Sequence, residues 1–101
     1  MKINRVSLTM PQELLDKSEK IAKEKSEDRS TTMRELLRLG IKQYLIEKGV
    51  ALYSEGKVSL EKASEISEVS IWKFMDILRD KKIPLHYDLD AIKKEIKEIS
   101  S

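Results

Sequence analysis

The sequence predicts a mostly α-helical protein in which one short N-terminal strand precedes two helices and a small three-helix C-terminal body. Three observations carry that expectation. Residues 5–10 alternate polar and apolar side chains, the period of a strand with one buried face. Beyond Pro11 the apolar residues recur at helical spacing instead, which also argues against disorder. The composition, with 38% charged, 40% apolar and only 5% aromatic residues, suits helices with solvated outer faces rather than a sandwich or barrel.

The strand is Arg5-Val6-Ser7-Leu8-Thr9-Met10, and Pro11 stops it. Proline fits the first turn of a helix, and Leu14, Leu15, Ser18, Ile21 and Ala22 then form one stripe of a helix ending near Lys25. After a polar connection over residues 26–29, a second helix opens among Ser30, Thr31 and Thr32, where Thr32-Met33-Arg34-Glu35 has capping-box spacing. It turns Leu36, Leu37, Ile41, Tyr44 and Leu45 inward, and Gly49 is its expected stop. Gly40 sits on the apolar stripe at a cost of about 1 kcal/mol relative to alanine, which close approach of another helix would justify. Residues 50–58 read as a linker or a helical extension. Ser59 caps a short helix to about Ser67, Ser70 caps another to about Lys81, and Pro84 precedes a last amphipathic helix from about Leu89 to Ile99. The domains are thus residues 1–49 and 59–101.

At 101 residues the chain is one ordinary domain or two very small ones, and self-association is expected. It has no cysteine, which excludes disulfides and thiolate chemistry, and it shows neither a signal peptide nor an apolar run long enough to span a bilayer. A cytoplasmic, non-membrane protein is expected. The net charge is +2, unevenly spread: residues 1–50 carry 11 Lys and Arg against 8 Asp and Glu, residues 51–101 carry 9 against 10. An anionic partner belongs to the first half.

A lone six-residue strand leaves backbone groups unpaired, and the chain offers no second strand to satisfy them. Its partner must be another copy. Antiparallel pairing across a two-fold axis makes a ribbon whose Val6, Leu8 and Met10 cover the helices of both subunits, while Arg5, Ser7 and Thr9 face outward twice. A two-stranded ribbon fits the major groove of double-stranded DNA, arginine donates to guanine in bidentate fashion, and hydroxyls reach several base edges. On these residues, positions 2–48 resemble the ribbon-helix-helix family, which includes Arc- and methionine-repressor-type proteins and the plasmid copy-number repressors. The resemblance implies that Arg5, Ser7 and Thr9 contact bases and that the Ser30-Thr31-Thr32-Met33 turn grips phosphate. It also implies a homodimer closed by Val6, Leu8, Met10, Leu37, Gly40, Ile41 and Tyr44, with further dimers able to bind side by side on DNA. Glu27-Asp28 puts negative charge beside the phosphate turn and fits that pattern poorly.

In the second half, residues 59–74 have helix-turn-helix rhythm, although Glu68 stands in the turn where a positive φ would favour glycine. The second of these helices is apolar around most of its girth, with Ile71, Trp72, Phe74, Met75, Ile77 and Leu78, which is unlike a DNA-reading helix. It reads either as core or as a protein-binding surface anchored by Trp72 with Met75 and Leu78. Residues 51–99, through Ala51-Leu52-Tyr53, Lys57-Val58-Ser59 and Ile83-Pro84, resemble a family of uncharacterised small prokaryotic proteins with a helix-turn-helix-like body. Its members are often regarded as antitoxins, which implies a protein toxin as partner.

Catalytic chemistry is not expected. His86 is the single histidine, there is no glycine-rich phosphate loop, and Asp88 and Asp90 read as helix N-terminal residues and Glu95 as part of a solvated face rather than as metal ligands. No cofactor or metal is expected. The sequence therefore predicts a sequence-specific DNA-binding regulator, an autoregulatory repressor and antitoxin. The alternative is an interaction module that neutralises a partner toxin, with DNA binding secondary.

Overall fold

The computed structural model describes residues 2–86, and these are mostly helical: α1 (Gln12–Lys25), α2 (Arg29–Ser54), α3 (Leu60–Ser67) and α4 (Ile71–Asp80). The expected last helix over Leu89–Ile99 and the acidic residues Asp88, Asp90 and Glu95 lie outside the described residues. The expected strand over Arg5–Met10 is not seen. Residues 2–10 run without helix, turn or bend, and no strand occurs among the described residues. A β-ladder exists only where two strands pair, and the described part of one chain supplies no second strand.

The described residues divide into two compact units between Gly40 and Ile41, inside α2. In the first unit, Pro11 at the N-cap leads into α1, its carbonyl accepting from the Leu14 and Leu15 N–H groups at 3.1 Å. Ser18 and Ala22 are buried, Leu15 and Ile21 half-buried, and Leu14 is exposed, so the predicted stripe turns inward except at its edge. Ser18 satisfies its hydroxyl by donating to the Leu15 carbonyl at 2.8 Å.

In the second unit, Val50, Tyr53, Ala63, Phe74 and Leu78 form the core, with Ile46, Val58, Leu60, Val69, Ile77 and Ile83 packed against it. Tyr53 meets Phe74 edge to face at 6.1 Å, a favoured geometry for aromatic pairs. Residues 50–54 therefore extend α2, because the helix must continue past Gly49 to bring Val50 and Tyr53 into this core. Gly49 is buried and serves close approach, not termination. A Cβ built there would fall 2.7 Å from the Ala63 carbonyl oxygen and would overlap the Ser67 hydroxyl. Gly40, where close approach was expected, has nothing within 4 Å in the single chain.

α3 and α4 begin at the predicted caps. The Ser59 hydroxyl accepts from the Lys62 N–H and the Ser70 hydroxyl from the Lys73 N–H, both at 3.1 Å. All four helices close with a paired backbone motif in which two N–H groups return to carbonyls of the last turn, as Glu68 does to Glu65 and Val69 to Ser64. The left-handed residue of that motif is Ser26, Gly56, Glu68 and Lys82 in turn, so glycine occupies one of four such positions. The anticipated strain at Glu68 is present, at φ 56°.

Candidate nucleic-acid interface

The N-terminal segment projects its side chains into solvent. Arg5, Ser7 and Thr9 are exposed, and so are the apolar residues between them: Val6 is 80% and Leu8 77% exposed, with Met10 half-buried where the segment meets α1. Ile3 is 92% exposed. Lys2 and Arg5 pair with no carboxylate among the described residues. Along α2, Leu37, Ile41 and Tyr44 are also exposed, at 64%, 51% and 62%, and with Gly40 their spacing puts them on one helical stripe. They are not inward-facing within one chain, in contrast to Leu36 and Leu45, which are half-buried.

The turn assigned to phosphate differs from expectation in its details. α2 begins at Arg29, and its cap is Asp28 rather than Thr32. The Asp28 carboxylate accepts from the Thr31 N–H at 3.4 Å and from the Thr31 hydroxyl, while the Asp28 carbonyl takes the Thr32 N–H at 3.1 Å. The Thr31 hydroxyl, aided less strongly by the backbone N–H groups of Thr31 and Asp28 and by Arg34, holds the Asp28 carboxyl below the usual carboxylate range against the opposing effect of desolvation. Thr32 lies one turn too deep to cap: it is fully buried and donates its hydroxyl to Glu27 at 3.1 Å. Met33 is half-buried. Of the four residues assigned to phosphate, Ser30 alone is exposed, and the carboxylates of Glu27 and Asp28 already engage Thr32 and Thr31. Aspartate is among the strongest helix caps, so Asp28 immediately before Arg29 was the available signal.

The second unit carries a separate feature. Trp72 is 74% exposed and lines an apolar groove of about 500 Å³ with Met75, Asp76, Leu78, Arg79, Ile83 and Leu85. Asp76 and Arg79 pair with each other at 3.1 Å on its rim. Leu78 is 1% exposed and belongs to the core beneath, so Trp72 and the half-buried Met75 are the reachable members of the predicted trio. The His86 ring packs against Tyr53 at a tilt of 38° with ring centroids 4.7 Å apart, and its backbone N–H donates to the Tyr53 hydroxyl. Among the described residues no three metal-ligating side chains come together, and no helix is long and apolar enough to cross a membrane.

Comparison with known proteins gives one family. The model of an uncharacterised protein family (UPF0175) matches residues 1–101. Relatives include a UPF0175 protein of Archaeoglobus fulgidus, 49% identical over 47 residues, which is 46% of this chain and 54% of that one. A UPF0175 protein of Synechocystis is 33% identical over 57% of this chain and 65% of its own, and one of Aeropyrum pernix is 36% identical over 54% and 62%. The match thus spans between half and two thirds of these relatives' lengths. No solved structure matches the chain.

Proposed function

This chain belongs to the UPF0175 family, and we propose that it is a dimeric, sequence-specific DNA-binding regulator of ribbon-helix-helix type. The observation that carries the reading is the N-terminal segment. Val6 and Leu8 stand 80% and 77% exposed on a run of chain that has no pairing partner among the described residues. Apolar side chains left in water at strand spacing, with unpaired backbone beside them, are stabilised by a second copy laid antiparallel. Burial of the Val6 and Leu8 side chains supplies about 1.5–3 kcal/mol each. The exposed α2 stripe of Leu37, Gly40, Ile41 and Tyr44 supplies the helical part of the same interface.

In the resulting ribbon Arg5, Ser7 and Thr9 face the major groove from both strands. Arg5 donates to a guanine edge, and the two hydroxyls adapt to neighbouring bases. The phosphate anchor is narrower than the whole Ser30–Met33 turn, since Thr32 is buried and Asp28 occupies Thr31; Ser30 and Lys2 take that role. Autoregulatory repression, with double-stranded DNA upstream of its own gene as operator, follows from this reading. Replacing Arg5 by alanine is expected to weaken operator binding by about 1–3 kcal/mol while the dimer persists. An unchanged affinity removes Arg5 from the reading face.

The groove beside Trp72 favours a second role for the same protein, as the partner-neutralising half of a toxin-antitoxin pair. An exposed tryptophan flanked by Met75 on an apolar groove has the composition of a protein-binding hot spot. Trp72→Ala is expected to leave stability within about 0.5 kcal/mol, as for exposed sites generally, and to leave DNA binding intact while abolishing capture of the toxin encoded beside it. A variant that unfolds instead identifies Trp72 as structural.

A further inference from the structure

Ile3 is the most exposed large apolar side chain in the described protein, at 92%, and it stands apart from Val6 and Leu8 in one respect. In an extended chain successive side chains alternate between faces, so Val6, Leu8 and Met10 share one face and Ile3, Arg5, Ser7 and Thr9 share the other. Residues 2–10 contain no turn or bend that would break this alternation. In the ribbon proposed above, Ile3 is therefore an apolar residue on the polar face, and the pairing that covers Val6 and Leu8 leaves it uncovered.

We infer that Ile3 is a fourth base-reading residue, packing against the 5-methyl group of a thymine in the major groove. The inference rests on the DNA-binding reading above and deepens it. The thymine methyl is the apolar feature of the major-groove edge, and an aliphatic side chain recognises it by contact, where Arg5, Ser7 and Thr9 use hydrogen bonds. Two residues of extended chain advance about 6.7 Å, close to two base steps at 3.4 Å. With the ribbon's two-fold axis near its middle, Ile3 lies outside Arg5. It reads a thymine about two base pairs farther from the operator centre than the base Arg5 contacts. Removing the isoleucine surrenders methyl burial, and deleting the thymine methyl does the same from the other side.

The test is a double-mutant cycle between protein and DNA. Full-length protein and Ile3→Ala are titrated by fluorescence anisotropy against the duplex upstream of the gene, with each thymine replaced in turn by uracil, which lacks only the methyl. Sedimentation of both proteins reports the dimer. One symmetric pair of thymines is expected at which uracil weakens wild-type binding about fourfold per contact, the equivalent of one buried methyl-sized group, and leaves Ile3→Ala unaffected. If wild-type protein binds the duplex specifically yet no thymine shows coupling to Ile3, the inference is overturned and the reading by Arg5, Ser7 and Thr9 stands. Dissociation of the dimer on Ile3→Ala also overturns it, since Ile3 would then be an interface residue. If the wild-type protein does not discriminate this duplex from a scrambled one, the DNA-binding reading itself falls.

Discussion

Glu68 shows how local strain is placed in this molecule. It ends α3 in the left-handed conformation at φ 56°, where an L side chain crowds its own carbonyl, and it does so because Val69 must fold back onto the core while its N–H reaches Ser64. Gly56 performs the same task at the end of α2 without that cost. Glu68→Gly is expected to stabilise the protein by about 1 kcal/mol, read as a higher urea midpoint with unchanged slope. An unchanged midpoint would mean that the turn holds glutamate without strain. This position was legible in the sequence, since the length of the Ser59 and Ser70 capped segments puts the turn at residue 68. Thr32 was not. Its spacing to Glu35 imitates a capping box, but Asp28 offers its carboxylate to the Thr31 N–H in the first turn, and Thr32 is left to donate inward to Glu27.

At the scale of elements, neither glycine of α2 does within one chain what its sequence context implies. Gly49 was read as a stop because glycine is a poor helix former, yet α3 packs against it so closely that any side chain would strike the Ala63 carbonyl. Tertiary contact overrides propensity there, and such a contact has no signature within a single window of sequence. Gly49→Ala is expected to destabilise the protein by about 1–3 kcal/mol, the range for overpacking, measured by denaturant unfolding. Gly40→Ala is expected to behave differently, since nothing lies within 4 Å of its Cα side. In a monomer the change gains about 1 kcal/mol of helix propensity; in the dimer proposed above, where a second α2 would cross at Gly40, it is expected instead to weaken self-association, read by sedimentation. The helices themselves were legible: the ends of α1, α3 and α4 fall where the apolar stripes and the serine caps place them. The strand expected from the alternation over residues 5–10 is not seen: alternation marks a segment able to pair, and the described part of one chain supplies nothing for it to pair with.

For the molecule as a whole, the charge distribution and the exposed apolar residues point the same way. Residues 1–50 carry three net positive charges, doubled in a dimer, while residues 51–101 carry one net negative charge and the Trp72 groove. This division is the one the proposed function calls for, with the polyanion at the first half and a protein partner at the second. The measurement that tests the central claim most directly is a fluorescence-anisotropy titration of the DNA upstream of the gene against a scrambled duplex, at two salt concentrations. The account predicts tighter binding to the upstream DNA that persists at the higher salt, because base contacts survive when phosphate contacts are screened. Equal, salt-sensitive binding to both duplexes, or none, would contradict it.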